Sequence, residues 1–139
     1  MFVNKISNGS NQVFKGYRHD RNNAGEQVMK FNHPATRNEG SNVYVEFYNV
    51  GKDNTTPSGY RVQGEQLQSV KLGMEGTYVN LKDIKGLNPD EPFAYRIISN
   101  GYPVNESGVT IGDSFVLVTP KTAAPTVHGT GYFAIQAIQ

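Results

Sequence analysis

Between Thr77 and Phe115 the chain sets two aromatic-rich extended runs, TYVNLKDI and PFAYRII, on either side of the turn Lys85-Gly-Leu-Asn-Pro-Asp-Glu, then adds Ser99-Asn-Gly and GDSF. Alternation gives each run one apolar face. Val79 and Leu81 oppose Tyr78, Asn80 and Lys82, while Phe93, Tyr95 and Ile97 alternate with Ala94 and Arg96. Strands with one apolar face need a second layer to bury it against, so the segment predicts the centre of an all-β sandwich. Pro89 and Pro92 cannot donate to a central ladder, which ends the first strand before them.

The same alternation recurs upstream. In VYVEFYNV, Val43, Val45 and Phe47 share one face and Tyr44, Glu46 and Tyr48 the other, and the turn formers GKDNTTPSG close the run. A short strand follows at Leu67–Leu72, and the turn Gly73-Met-Glu-Gly76 predicts a hairpin into the Thr77 run. VTI at Val109–Ile111, then SFVLVT and GTGYFAIQAIQ, bring the expectation to about seven to nine antiparallel strands. The first forty residues are polar, so residues 1–27 are expected to form an N-terminal arm, with Val13-Phe14 and Val28–Phe31 as short edge strands. Glu65–Val70 is too short between Gly64 and Gly73 to hold a helix.

A chain of 139 residues suits one domain, here 1–139. Thirteen Lys and Arg against twelve Asp and Glu leave a net charge of +1, scattered rather than grouped, which argues against nucleic acid as a partner. Without cysteine there are no disulfides and no thiolate chemistry. The apolar runs, such as Phe115–Val118, fall far short of the roughly 20 residues that cross a bilayer, so no membrane partner is expected. The N-terminus lacks the apolar stretch of a secretory signal, and the expected location is cytoplasmic.

From Phe31 to Phe115 the order is Phe31-Asn-His-Pro34-Ala35, a Val-x-Val-x-Phe strand, Val-Lys-Leu, a glycine turn, Leu-Lys-Asp-Ile-Lys-Gly-Leu, Phe-Ala-Tyr-Arg-Ile, Asn-Gly and Gly-Asp-Ser-Phe. This order resembles the early-set immunoglobulin-like modules of α-glucan branching and debranching enzymes, the family 48 carbohydrate-binding modules. The resemblance implies an immunoglobulin-like β-sandwich and a non-catalytic accessory role beside a catalytic domain, with α-glucan as the polysaccharide partner. Members of that family stack sugars on tryptophan, and this chain has none.

The residues offer little for catalysis. His19, His33 and His128 lack the short spacings that put two metal ligands on one face, and no Gly-x-Ser-x-Gly elbow occurs. Asp90 and Glu91 are adjacent between prolines and diverge, so they do not flank a sugar as a hydrolytic pair would. Gly129–Gly131 has no helix after it to present amides to a phosphate, and no cofactor is expected. The aromatics are the remaining candidates. Tyr44, Tyr48 and Tyr78, with Asn80 and Lys82, would share one outward face if their strands belong to one sheet, and rings beside amides and charges can hold a carbohydrate. The same tyrosines also suit a sheet covered by a loop or a neighbouring subunit. The rival reading is a self-assembling structural subunit, of phage or surface type, whose partners are copies of itself joined at sheet edges.

Overall fold

In a computed structural model of the chain, described over residues 5–7, 14, 16–35, 42–111 and 114–120, two β-sheets pack face to face. The strands are β1 (Lys5–Ser7), β2 (Tyr17–Arg21), β3 (Gln27–Phe31), β4 (Val43–Lys52), β5 (Tyr60–Gln63), β6 (Ser69–Lys71), β7 (Thr77–Asn80), β8 (Phe93–Ser99), β9 (Tyr102–Val104) and β10 (Ser114–Val118). The larger sheet runs β1-β10-β8-β4-β5, with β6 paired to β4 and β9 to β8, and the smaller runs β2-β3-β7. The expected all-β sandwich holds. It has ten described strands rather than seven to nine, and one pairing, β1 with β10, is parallel.

The predicted inward faces form the shared core. Val43, Val45, Phe47, Phe93, Tyr95 and Ile97 from the larger sheet meet Tyr17, Met29, Phe31 and Val79 from the smaller, all buried. Rings pass contact between the layers: Tyr95 lies 5.0 Å from Phe31 and 5.2 Å from Tyr17, both edge to face, a geometry that matches positive ring edges to negative faces.

Four expectations are corrected. The arm expected over residues 1–27 includes all of β2 and the start of β3, because Tyr17 and Phe14 bury fully in the core and β2 pairs with β3 along its whole length. The Gly73–Gly76 turn is not a hairpin: β6 pairs with β4 in one sheet, and β7 pairs with β3 in the other. A tight glycine turn serves an arch between layers as well as a hairpin, since both need positive φ, here +94° at Gly76. The run expected as a strand through Ile84 stops at Asn80, whose side chain accepts the Lys82 N–H and starts a 3₁₀ turn over Leu81–Asp83. Leu81 and Ile84, three apart, both bury from that turn. VTI forms no named strand, only a bridge from Thr110 to Val104. Val13 and the run GTGYFAIQAIQ lie outside the described residues.

The larger sheet curls until β1 approaches β5. The concave side of that curl encloses a second cluster, Tyr48, Val62, Ala94 and Phe115, flanked by Val50, Tyr60 and Leu117. This half of the sheet is therefore buried on both faces.

Candidate functional site

Among the described residues, the outward side of the small sheet carries an exposed Tyr78 with half-buried Arg18, Asp20, Lys30 and Asn80, and Val28 is buried between them. Register places Arg18, Lys30 and Tyr78 in one row across β2, β3 and β7, and Asp20, Val28 and Asn80 in the next. Tyr78 is 54% exposed, and Lys30 Nζ stands 5.8 Å from its ring centre. Gly76 makes room for that lysine: a Cβ there would come within 3.1 Å of Lys30 Cε.

Past Asn80 the face becomes a polar network. Asn80 Nδ2 donates to Glu26 Oε1 at 3.0 Å, Asn22 Nδ2 donates to the same oxygen at 3.1 Å, and Lys82 Nζ lies 3.9 Å from Glu26 Oε2. The Asn22 amide, then the Asn80 amide, hold the Glu26 carboxyl below its ordinary range, with the Lys82 charge adding to them. Asn22 also accepts the Ala24 and Glu26 N–H groups, shaping the β2–β3 turn that aims Glu26 at this face. Beside the network lies a cleft of about 290 Å³ lined by Arg21, Glu26, Gln27, Lys82, Pro89 and Asp90. Arg21 bridges to Asp90 at 3.8 Å and donates to Gly25 O at 2.7 Å. Amides, carboxylates and cations around a small cleft, next to an exposed ring, can take the hydroxyls and the apolar face of a sugar.

Of the five candidate residues, Tyr78, Asn80 and Lys82 come together here. Tyr44 and Tyr48 do not, because β4 belongs to the other sheet and its outward side faces away across the core. Tyr44 is half-buried on that side. Tyr48 is 7% exposed and committed to other contacts: its hydroxyl donates to Glu46 Oε1 at 2.8 Å and accepts from Arg96 Nη2 at 3.1 Å, and its ring meets Phe115 edge to face at 5.0 Å. Burial first, then the hydrogen bond to Glu46, pushes its hydroxyl up to about 12. Tyr48 is a packing residue inside the curl.

A second cleft, about 360 Å³, gathers Asn49, Val50, Gln63, Asn88, Glu91 and Pro92 from the β4–β5 hairpin and the turn before β8. Asp90 and Glu91 do diverge, one into each cleft. Arg18, Lys30, Glu26 and the second cleft are absent from the sequence reading. Alternation in Gln27–Phe31 would have found Lys30, whereas the cleft is assembled from distant loops and has no local signal. His19 is buried against Gln27, its Nε2 lying 2.9 Å from Gln27 Oε1, and His33 Nδ1 lies 2.9 Å from its neighbour Pro34 O. His128 is outside the described residues. Among the described residues no group of His, Asp or Glu is arranged to hold a metal, and no helix is long and apolar enough to cross a membrane.

No protein-family model, curated protein or solved structure matches the chain.

Proposed function

We propose that this chain is a non-catalytic accessory module of the immunoglobulin-like, early-set type, which contacts a polysaccharide through the outer face of its small sheet and serves an α-glucan-active enzyme. The immunoglobulin-like part rests on connectivity. The order β2-β3-β7 in one sheet and β10-β8-β4-β5 in the other corresponds to the A-B-E and G-F-C-C′ arrangement of such sandwiches. The observation that carries the contact role is the half-exposed Tyr78 ring, which continues along one strand face into Asn80 and the Glu26–Lys82 network. Neighbouring side chains on one strand face stand about 7 Å apart, a spacing that lets one sugar ring stack while the next meets amide and carboxylate.

The test is titration of the chain with maltoheptaose, followed by the ring and amide signals of the tyrosines. Tyr78 is expected to shift with millimolar affinity, and Tyr78→Ala to weaken binding by about tenfold, the loss of roughly 1.4 kcal/mol that one stacking ring supplies. Unmoved Tyr78 signals at saturating sugar would defeat the proposal.

A further inference from the structure

We infer that the saccharide taken by this face is anionic, a sugar chain carrying phosphate esters or carboxylates, and that Arg18 and Lys30 are the residues that select it. The inference rests on the contact role proposed for the small sheet and narrows its ligand.

Arg18 and Lys30 are directly opposite each other on antiparallel strands. Like charges in that position destabilise a sheet, and cross-strand partners of opposite sign are the stabilising choice. Neither cation makes an ion pair among the described residues. Both are only half-exposed, so less water screens them than would screen charges at the tips of loops.

The carboxylates of this face stand in other rows and are engaged. Asp20 Oδ1 accepts the Arg21 N–H at 2.8 Å, and Glu26 is held by Asn22, Asn80 and Lys82. The row Arg18–Lys30–Tyr78 thus ends a sheet face with two cations and one aromatic ring and no acid of its own. A planar guanidinium accepts a carboxylate or phosphate through two parallel N–H bonds, and an ammonium takes either as a point charge. The ring beside them stacks on the apolar face of the sugar that bears the group. A neutral glucan would use Tyr78 and leave Arg18 and Lys30 without an anionic partner.

The experiment compares four probes on the full chain at low and high salt: maltoheptaose, a phosphorylated malto-oligosaccharide of the same length, an oligogalacturonate, and a single-stranded oligonucleotide of similar charge. One or both anionic saccharides are expected to bind at least about tenfold more tightly than maltoheptaose at low salt, with the advantage shrinking as salt rises. Which of the two binds better separates phosphate from carboxylate. Arg18→Gln and Lys30→Gln should each cut the ratio of anionic to neutral saccharide affinity by about three- to tenfold. Because it removes one of two like charges, Arg18→Gln should not lower the urea midpoint, and Arg18→Lys should retain part of the preference.

Equal affinity for neutral and anionic saccharides would overturn this inference while leaving the contact role standing. So would an oligonucleotide that binds as tightly as the anionic sugars, or an anionic preference that survives both glutamine variants. Binding of no saccharide at all would remove the contact role and this inference with it.

Discussion

Tyr17 and Tyr95 meet edge to face in the core, yet their hydroxyls fare differently. Tyr95 donates to Phe14 O at 3.2 Å, whereas the buried Tyr17 hydroxyl has no partner among the described residues. Burial raises the acid range of both, so neither ionises near neutral pH. An unsatisfied buried hydroxyl costs more than its removal does, so Tyr17→Phe should leave the urea midpoint unchanged or raise stability by about 1 kcal/mol. Tyr95→Phe should lower it by about 1 kcal/mol through loss of the bond to Phe14. Chemical denaturation of the two variants side by side checks both. Alternation marked Tyr95 as inward, and it is fully buried; nothing local marked Tyr17, because the polar run around it hides a strand whose partner lies ten residues on. Tyr48 shows the opposite limit. Its outward direction was legible, but its burial comes from strands far away in sequence that curl over it.

At the level of elements, β4 and β8 form the longest pairing and carry the half-buried ion pair between them. Arg96 Nε donates to Glu46 Oε1 at 3.0 Å, with side-chain exposures of 23% and 16%, and the guanidinium lies 4.7 Å from the Phe115 ring centre. Arg96→Met would strand the Glu46 carboxylate beside Tyr48, at a cost of about 2 to 3 kcal/mol after discounting for partial solvation. Pairing it with Glu46→Gln should recover much of that loss, because the price of the single change is the unpaired charge rather than the missing bond. A double-mutant cycle in urea reads the difference, and a single variant as stable as the parent would refute it. Strand β7 shows how far local pattern carries. Its inward Val79 and outward Tyr78 follow from alternation, but the choice of sheet does not, since Gly73–Gly76 can turn a strand back on itself or send it across the core. That choice decides the site, for it separates Tyr78, Asn80 and Lys82 from Tyr44 and Tyr48.

For the molecule as a whole, among the described residues the curl of the larger sheet buries one side of the sandwich, while the small sheet keeps an outward side on which Tyr78 is exposed. The asymmetry explains why one face can be rich in tyrosine and still be core, while a face with a single tyrosine is the candidate contact surface. All-β layering was legible because several runs alternate strongly; the curl was not, because it depends on β1 reaching β5 across the length of the chain. The most direct measurement is a residue-by-residue map of amide shifts on saccharide addition. The proposed role predicts shifts clustered at Arg18, Glu26, Lys30 and Tyr78 to Lys82, with the β4 residues Tyr44 and Tyr48 still. Shifts centred on Tyr44 and Tyr48, or in the cleft of Asn49, Gln63 and Asn88, would contradict it.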